Sequence, residues 1–539
     1  MQAKQVIRQK MLQVSSSKYL ANISNVCPMN VQSAADALCR PRLLSSPTLI
    51  VLQGLVSAAG LVVEIVAGRM LAPYVGMSIY TWTAIIAVVL AGFSAGHWAG
   101  GLVAERSRQD SLRIIAICMG LAAVTTALTL PILRTLSSTV LDNAPSPGLA
   151  ILMLACVVVF LPSFFAGTPA PVLAKMIVGL QPEREGKALG AIFAAGSIGA
   201  IVGTLAAGFV FISWLGSTMT IVVVTLTYVI AAMLLALMSG TSKSWIALLT
   251  CLVAASVISV YNLTLGAACT KESRYYCIRV VDFTSEIGTP AKLMVLDHLG
   301  HGINLAEHPD VLVTPYVELI DLMVTRRLEG VPASSFFIGG GAYALPRAWQ
   351  AASPDAQITV SEIDPEVTKI ANQQMWVPDT GIDILHEDAR AALNRRSDLY
   401  DVIVGDAFTD IAVPPHLVTA EFFQLVKARL EANGLYAMNV VDHVPDMQAL
   451  LAVYRTLNDV FDQVEVFVEQ DDFLSGSRTT FVLFASTAPS GLDHISGDDG
   501  QVFVKIAADM LDARLEDSRT PLLTDDYAPI DRLVGIGEL

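Results

Sequence analysis

Seven apolar stretches, each long enough to cross a lipid bilayer as a helix, constrain the fold of this chain more than any other feature. A helix needs about 20 apolar residues to span the hydrocarbon core. The stretches lie near 48–68, 79–103, 112–133, 149–178, 188–214, 218–239 and 244–264. The fourth is overlong and contains Pro162, Pro169 and Pro171, so one kinked helix and a helix with a re-entrant piece are both compatible with it. The sequence predicts a polar tail at 1–46 and a membrane domain of seven or eight helices at 47–268.

The composition changes near residue 270. Charged residues make up only 15% of the chain, against about 25% in ordinary globular proteins. Before residue 270 there are 15 Lys+Arg and 7 Asp+Glu, and after it there are 19 and 42. The chain therefore passes from a lipid-facing part to a strongly acidic, water-facing part. An acidic domain of this kind suits cationic ligands, and we expect no nucleic-acid partner.

Two further patterns lie within the apolar stretches. Gly92, Gly96 and Gly100 repeat every four residues, and small residues at this spacing let helices approach closely. Glu64 and Arg69, at the end of the first stretch, are interpreted as an ion pair near the membrane interface, with a transport or ligand role as the alternative.

The seven cysteines show no metal-binding spacing and no CxxC motif, so we expect no metal site. Cys269 and Cys277 are placed so that they could face each other. Scattered free thiols are nevertheless the simpler interpretation of the set.

After residue 270, short strand-like runs alternate with helical segments. CIRVVDF and KLMVLD, separated by TSEIGTPA, predict a β-hairpin, and 314–328 predicts a helix. From SSFFIG to LYAMNVV, strands and helices alternate, which indicates a mostly parallel sheet with helices on both faces. FDQVEVFVE and RTTFVLFAS predict a final antiparallel pair. The predicted fold class is a multi-span α-helical membrane domain, a small β subdomain with a helix at 269–330, and a Rossmann-like α/β domain at 331–539.

Candidate binding residues follow the first two predicted parallel strands, because ligands of doubly wound sheets bind beyond the carboxyl ends of the strands. The first strand ends in Gly339, Gly340 and Gly341, whose missing side chains let a ligand lie on the turn, although such turns also serve packing. The second ends in Glu362, 21 residues after Gly341 and placed to accept hydrogen bonds from ribose hydroxyls. Asp364 is either a further contact or, as we prefer, the N-cap of the next helix.

The next two strand ends carry further acids. Asp388, followed by Ala389, could accept a hydrogen bond from the exocyclic amine of a base, or could only cap a helix. Asp406, with Asp410 nearby, lies where the reacting end of a ligand would point, and a carboxylate there could hold an amine or take its proton. A dinucleotide accounts for the glycines and Glu362 alone, whereas an adenosyl-sulfonium nucleoside accounts for all four strand ends.

Several segments together resemble the spermidine synthase family, namely FFIGGGAYALPR, SEIDPEV, HEDARAAL, DVIVGDAF, AEFFQLVKARL and LTDDYAPIDRL. The stretch EIVAGRMLAPYVGMSIYTWTAIIAVVLAGFSAGHWAGG is similar to the bacterial members that carry a multi-span region before the synthase-like domain. The resemblance covers nearly all of 48–539. It implies a small β domain before a methyltransferase-like sheet. It also implies transfer of an aminopropyl group from decarboxylated S-adenosylmethionine to an amine, with methylthioadenosine as the leaving group and neither a metal nor a tightly bound cofactor.

The resemblance also implies roles for single residues. Gly339 to Gly341 match the glycine motif, Glu362 the ribose-binding acid, Asp388 with Ala389 the adenine-binding pair, and Asp406 the catalytic acid. The acceptor-side candidates are Tyr275, Tyr276, Asp297, His301, Tyr316, Glu318 and Asp410.

The acceptor side departs from the family pattern. Tyr276 and His301 stand where the family has Gln, Val317 replaces His, and the segment DAFTD has one residue more between its acids than the family's DxxD. We therefore expect an acceptor that is not bound as in soluble spermidine synthases. It could be another amine, a molecule arriving from the membrane domain, or the donor's own amine in a cyclisation. Tyr527 could fold back near this site or only pack.

Basic residues predict the membrane orientation, because cytoplasmic loops carry an excess of Lys and Arg. Six precede the first stretch and three follow the second, whereas Arg69 and Arg134 are nearly alone in the loops after stretches one, three and five. The N-terminus is therefore predicted to be cytoplasmic. Seven crossings would place 270–539 outside, against the chemistry that the resemblance implies, and an eighth at the fourth stretch would return it. We expect a multi-pass protein of the bacterial inner membrane with the synthase-like domain in the cytoplasm.

The predicted function is that of a membrane-bound aminopropyltransferase-like enzyme acting on decarboxylated or ordinary S-adenosylmethionine. The rival is a polyamine transporter or sensor whose synthase-like domain binds a nucleoside without turnover. A methyltransferase is a second rival and would release S-adenosylhomocysteine instead. The expected partners are a small amine or polyamine and the lipid bilayer, and a homo-oligomer is compatible with the sequence.

Overall fold

The computed structural model describes residues 45–240, 245–266, 268–409, 411–497 and 500–534. Nearly all of the predicted tail, and Asp410, lie outside the described residues. The first part contains the helices α1 Ser46–Val75, α2 Ile79–Ala104, α3 Arg108–Asn143, α4 Pro147–Gly167, α5 Pro169–Leu180, α6 Glu185–Ala206, α7 Gly216–Ser239 and α8 Trp245–Thr264. Within the described residues, six continuous helical stretches are long and apolar enough to cross a membrane, which indicates a membrane protein.

The longest of these stretches, Pro182–Ser239, contains two helices, α6 and α7. Helix α6 continues as a π-helix through Leu215, and Gly216 then adopts a positive φ of 71°, which breaks the helix. Before the break α6 runs parallel to α1, since a Cβ on Gly199 or Gly203 would collide with carbonyl oxygens of α1. After the break α7 turns back along α1, where the Tyr228 hydroxyl approaches the position of a Cβ on Gly60. The described helices therefore make seven crossings.

The fourth apolar stretch crosses only once. Helices α4 and α5 follow each other along α2 with a short break at Thr168. Added Cβ atoms on Gly92, Gly96 and Gly100 would collide with the backbone of this pair at Phe160, Phe164 and Thr168, respectively. Because both series of residues increase together, the pair runs parallel to α2. At the far end, Lys175 Nζ donates to the Ala104 carbonyl oxygen over 2.6 Å. The predicted close packing of the three glycines is thus confirmed, and α5 is not an additional crossing.

The second part begins with a small antiparallel sheet in the order β1-β2-β3-β4, formed by β1 Lys271–Glu272, β2 Cys277–Asp282, β3 Ala291–Leu296 and β4 Leu299–Leu305. The predicted hairpin is β2–β3, with the short helix α9 Thr284–Ile287 in its loop. The pattern had not predicted β4, because its glycines at 300 and 302 interrupt the apolar alternation. Cys269 and Cys277 form a disulfide at the start of this sheet, so the free-thiol interpretation of this pair is wrong.

A nine-stranded mixed sheet follows the helix α10 Pro315–Leu328, in the order β12-β13-β10-β11-β9-β8-β5-β6-β7. Its strands are β5 Ser334–Ile338, β6 Gln357–Ser361, β7 Ile382–Leu385, β8 Tyr400–Gly405, β9 Leu430–His443, β10 Gln463–Glu469, β11 Arg478–Ser486, β12 His494–Ser496 and β13 Val502–Lys505. Strands β9-β8-β5-β6-β7 are parallel. The pairs β9–β11, β10–β11, β10–β13 and β12–β13 are antiparallel, and β10–β11 is the predicted pair.

Helices cover both faces of this sheet: α11 Ala344–Ala352, α12 Pro365–Gln374, α13 Ala389–Arg395, α14 Ala420–Lys427, α15 Gln448–Asn458, α16 Gln470–Ser475, α17 Ala508–Asp517 and α18 Ile530–Leu533. Strand β5 shows why two layers form. Phe336 packs into the core on one face and Phe337 into the core on the other, because side chains alternate along a strand. Burying each contributes about 1.5–3 kcal/mol. The apolar run of β5 therefore forms the central strand of the parallel part of the sheet.

The two parts meet through polar contacts at one end of the helices. Arg69 donates to the carbonyl oxygens of Tyr275 at 2.5 Å and Ser273 at 3.1 Å, rather than pairing with Glu64 as expected. Glu272 accepts hydrogen bonds from the backbone and hydroxyl of Ser217, at 2.6 and 2.8 Å. These contacts attach the small sheet to the ends of α1 and α7.

Candidate functional site

A cavity of about 200 Å³ opens at the carboxyl ends of β5, β6, β7 and β8. Residues that follow each of these strands line it, together with residues of the small sheet. Four acidic residues line it, Glu362, Glu387, Asp388 and Asp406. The Glu387 carboxylate pairs with Arg395, which leaves the other three for a ligand. The described lining residues include no Lys or Arg. The cavity therefore suits a ligand that carries positive charge and hydrogen-bond donors.

The glycine turn after β5 is fixed by its own neighbours as well as by access to the cavity. Gly339 has a φ of 95°, and a Cβ there would collide with the Asp406 carbonyl oxygen. Gly341 has a φ of 48°, which L-residues rarely adopt. Gly339 and Gly341 line the cavity. Gly340 lies on the side of the turn away from this cavity, against the Tyr343 ring. Packing thus accounts for part of the motif that the sequence assigned to a ligand.

Glu362 follows β6 and is buried at the base of this turn. Its Oε2 accepts from the Gly340 backbone N–H and its Oε1 from that of Asp364, both over 2.9 Å. Burial raises the pKa of the carboxyl, and the backbone hydrogen bonds oppose that rise. A carboxylate offers about four acceptor sites, and the Gly341 backbone N–H also acts on this one, so about one site remains for a donor from the cavity.

Asp364 is the N-cap of α12, as the preferred interpretation predicted. Its Oδ1 accepts from the Glu366 backbone N–H over 3.0 Å, and the side chain is buried. Burial also raises the pKa of this carboxyl. The structure therefore gives Asp364 a capping position beside Glu362, and it is not among the residues that line the cavity.

Asp388 caps a helix, which was one of the two alternatives, and the predicted contact with a base stays a prediction. Its Oδ1 caps α13 by accepting from the Ala391 backbone N–H over 2.9 Å, and Asp388 with Ala389 also lines the cavity. Its Oδ2 lies 2.7 Å from His416 Nε2, and this hydrogen bond lowers the pKa of the carboxyl. Asp388 is thus held in the charged, accepting form.

Asp406 follows β8, and two side chains hold its carboxylate. The Tyr316 hydroxyl donates to Oδ2 over 3.0 Å, and Asn439 Nδ2 donates to Oδ1 over 3.1 Å. Burial raises the pKa of Asp406, and these two donors partly oppose the rise. The result is an oriented carboxylate with a greater proton affinity than an ordinary one, as a group that accepts a proton from an amine requires.

The small sheet contributes Tyr275, Tyr276 and His301 to the wall opposite the strand ends. Tyr276 donates from its hydroxyl to the Phe408 carbonyl oxygen over 3.0 Å, which ties the small sheet to the loop after β8. Burial lowers the pKa of His301 to about 4, so this side chain is neutral at ordinary pH. Tyr275 is 42% exposed and lies at the edge of the cavity.

Two predicted acceptor-side acids lie elsewhere. Asp297 occupies the β3–β4 turn with a φ of 53°, and its Oδ1 accepts from the Cys277 backbone N–H over 2.8 Å. Glu318 faces away from Asp406, because a Cβ on Gly497 would lie 2.7 Å from its Oε1. Neither is among the described residues that line the cavity, so their placement on the amine side is wrong.

A second, smaller cavity of about 30 Å³ adjoins the first and shares His301, Gly339 and Asp406 with it. Tyr316 and Tyr343 give it a few polar atoms. Apolar side chains form much of its remaining wall, including Val317, Ile320, Phe337 and Leu345. The space beyond Asp406 is therefore narrow and largely apolar in this conformation.

The sequence had not singled out Asn439, His416, Glu387 or Asp525. Asp525, in the segment LTDDYAPID, pairs with Arg390 over 2.6 Å and accepts from Thr419, which fastens the terminal segment beside α13. Tyr527 is 51% exposed and accepts from Arg532, so of the two predicted alternatives it packs at the surface.

No protein-family model matches the chain. A probable polyamine aminopropyl transferase of Bifidobacterium longum is 27% identical over 220 residues, which are 37% of this chain and 48% of that protein. A polyamine aminopropyltransferase of Vibrio vulnificus is 28% identical over 29% of this chain and 52% of its own length. An N-terminal histidine N-methyltransferase of Emericella nidulans is 32% identical over 30% of each chain.

Among solved structures, a probable spermidine synthase from Corynebacterium glutamicum matches with a TM-score of 0.41 at 20% identity, over 48% of this chain and 97% of its own. The chain spans about half the length, or less, of the curated relatives that it matches. Proteins named polyamine aminopropyltransferase recur among those relatives. The chain is thus similar in part of its sequence to polyamine aminopropyltransferases, in line with the resemblance of the motifs after residue 270.

Proposed function

We propose that the domain after the membrane helices binds decarboxylated S-adenosylmethionine and transfers its aminopropyl group to an amine, with release of methylthioadenosine. One observation carries the proposal: the carboxylates of Glu362, Asp388 and Asp406 meet in one cavity at the ends of neighbouring parallel strands, with no Lys or Arg among the described lining residues. A dinucleotide or another phosphate ligand would meet repulsion from these groups. A sulfonium nucleoside with an ammonium arm is complementary to them.

In this proposal the nucleoside lies across the strand ends. Glu362 accepts from the ribose with the acceptor capacity that its backbone bonds leave free. Asp388, held by His416, accepts from the exocyclic amine of adenine. Gly339 and Gly341 leave the turn open for the backbone to approach the ligand.

The chemical step is a displacement at the carbon next to the sulfonium sulfur. The nitrogen lone pair of the acceptor forms the new C–N bond while the C–S bond breaks, and its electron pair leaves on the sulfur of neutral methylthioadenosine. Asp406 hydrogen-bonds the attacking amine and accepts the proton that this nitrogen loses. Tyr316 and Asn439 orient the carboxylate. Because the sulfonium is already a good leaving group, the protein contributes mainly orientation and desolvation.

Asp406 also favours the decarboxylated donor over ordinary S-adenosylmethionine. The α-carboxylate of the ordinary donor would lie at the end of the arm, close to an acid whose surroundings already exclude water. Two like charges in such a place repel strongly. An arm that ends in an ammonium alone avoids this cost.

A binding-only role is the second candidate, and the narrow space beyond Asp406 favours it. A cavity of about 30 Å³ has room for only about two or three water molecules. In that case the domain would bind the nucleoside as a sensor, and the membrane helices would transport or detect the polyamine. The enzyme proposal requires that this space open when the acceptor enters.

The test uses the purified full-length protein with decarboxylated or ordinary S-adenosylmethionine, with and without putrescine. Mass spectrometry quantifies methylthioadenosine and S-adenosylhomocysteine. Methylthioadenosine formed only from the decarboxylated donor is the expected result, and formation without putrescine would indicate cyclisation of the donor. S-adenosylhomocysteine as the product would replace the proposal with methyl transfer, and nucleoside binding with neither product would leave the sensor.

A further inference from the structure

The two ends of the membrane domain lie on opposite sides of the helix bundle. Gln181 donates to the Ser46 hydroxyl over 3.0 Å, which places the end of α5 beside the start of α1. At the other end, Arg69 of α1 and Ser217 of α7 contact the small sheet. Arg134 of α3 donates to the Gly266 carbonyl oxygen just after α8, over 2.7 Å. Seven crossings thus separate the start of α1 from the soluble domain.

Positive charge is concentrated on the side where α1 starts. The described cations near helix ends on that side are Arg106, Arg108, Arg113, Lys175, Arg184 and Lys187. On the side of the soluble domain, the membrane helices carry Arg69 and Arg134, and both donate to carbonyl oxygens after α8. An excess of Lys and Arg marks the cytoplasmic side of membrane proteins. The charges therefore place the start of α1 in the cytoplasm and the soluble domain outside.

The cysteines give an independent indication of the same orientation. Cys269 and Cys277 form a disulfide directly after the last membrane helix, on the side of the soluble domain. The free cysteines Cys118, Cys156 and Cys251 lie within membrane helices, and the sequence has no cysteine after Cys277. Disulfides form and persist in oxidising compartments and are rare in the cytosol. A domain whose cysteines are all paired is typical of the oxidising side.

We infer that the soluble domain, with its acidic cavity, lies on the extracytoplasmic side of the membrane. This is the opposite of the cytoplasmic placement expected from the chemistry of the family. The short helix α5 is not the eighth crossing that would return the domain to the cytoplasm, because it continues in the direction of α4. The cavity therefore takes its ligands from the extracytoplasmic side.

A consequence follows for the supply of the substrate, and it rests on the proposed function. A sulfonium donor carries a permanent positive charge, and moving an isolated charge through hydrocarbon is costly. A donor made in the cytoplasm would therefore reach the cavity only after a transport step across the membrane. In the order of steps, export of the donor would then lie between its synthesis and this reaction.

The orientation is tested with full-length fusions in a bacterial host. Alkaline phosphatase is active only after export, and green fluorescent protein fluoresces only when it folds in the cytoplasm. When fused after residue 539, the phosphatase is expected to be active and the fluorescent protein to be non-fluorescent. When fused before residue 1, the fluorescent protein is expected to fluoresce. Fluorescence of the C-terminal fusion with an inactive phosphatase would overturn the inference.

Labelling with a membrane-impermeant maleimide gives a second measurement that does not depend on fusions. In spheroplasts, Leu474→Cys, which is 72% exposed in the soluble domain, is expected to be labelled. Ser107→Cys, exposed between α2 and α3, is expected to react only after lysis. The reverse pattern would contradict the orientation. Nucleoside binding by the purified protein does not depend on the side of the membrane, so the two proposals can fail separately.

Discussion

Replacing Asp406 by Asn separates catalysis from nucleoside binding. The carboxylate accepts from Tyr316 over 3.0 Å and from Asn439 over 3.1 Å. An amide has nearly the same shape, but its NH₂ group cannot accept, so one of these bonds and the negative charge are lost. A charge-assisted bond to the attacking amine contributes about 1.5–3 kcal/mol, and a positioned base typically contributes about 10²–10⁴-fold. We expect kcat/KM for methylthioadenosine release to fall by about 10³-fold or more.

Methylthioadenosine is the binding probe for this variant, because it has no ammonium arm. Its Kd, measured by calorimetry, is expected to change less than about threefold, since Glu362 and Asp388 follow other strands. Asp401→Asn is the matched control: the same substitution at the amino end of β8, where Asp401 accepts from the Ser334 backbone N–H over 2.9 Å. It should keep full turnover. If Asp406→Asn turned over within tenfold of the unmodified protein, Asp406 would have no part in the displacement.

Four further predictions concern single features of the structure. Tyr316→Phe removes one donor to Asp406, and kcat should fall by about tenfold or more with little change in methylthioadenosine affinity; an unchanged kcat would count against the orienting role. Glu362→Gln leaves a buried backbone N–H without its acceptor, which costs about 1–3 kcal/mol. Methylthioadenosine should therefore bind about 10–100-fold more weakly, as measured by calorimetry. Tight binding would exclude the ribose contact. Burial raises the pKa of Asp406, and the reaction needs its ionised form. The rate should therefore decrease on acidification with a midpoint above the ordinary Asp pKa of about 3.9. A midpoint at or below that value would contradict this. Gly96→Leu should lower the melting temperature of the protein in detergent, because overpacking costs about 1–3 kcal/mol. Gly101→Leu should leave the melting temperature unchanged, because a Cβ there would meet open space. Equal effects of the two substitutions would refute the helix contact.

The raised pKa of Asp406 also links the site to stability. The folded protein holds the proton of this group more tightly than the unfolded chain does. The contribution of Asp406 to the stability of the unliganded protein is therefore greatest below its unfolded pKa, and it is lost as the pH rises through the folded pKa. The active carboxylate is thus kept at a cost in stability at neutral pH, as is common at functional sites.

The strand ends were predictable because sequence order and spatial order agree in a parallel sheet. Each strand from β5 to β8 carries a recognisable apolar run, and the residues directly after it meet at one edge. That rule was sufficient to bring Glu362, Asp388 and Asp406 into one cavity. Asn439 could not be found in the same way. It lies within β9, and its approach to Asp406 depends on the register in which Gly405 pairs with Met438.

The acceptor side was predicted less well, and for a reason that helix geometry explains. Tyr316 and Glu318 are two residues apart on α10, and such residues do not share a face of a helix. Tyr316 reaches Asp406, so Glu318 necessarily points elsewhere. His416 lies in a short 3₁₀ turn after Pro414 and Pro415, and only the tertiary fold brings it to Asp388. Arg69 likewise donates to carbonyl oxygens 204 and 206 residues away in the sequence, and no local pattern predicts such contacts.

A structure of the full-length protein with bound methylthioadenosine, determined by electron cryomicroscopy, tests the central claim most directly. The account predicts ribose hydroxyls within hydrogen-bond distance of Glu362, the adenine amine at Asp388, and the sulfur directed toward Asp406. A nucleoside bound in the opposite direction, or outside this cavity, would contradict the account.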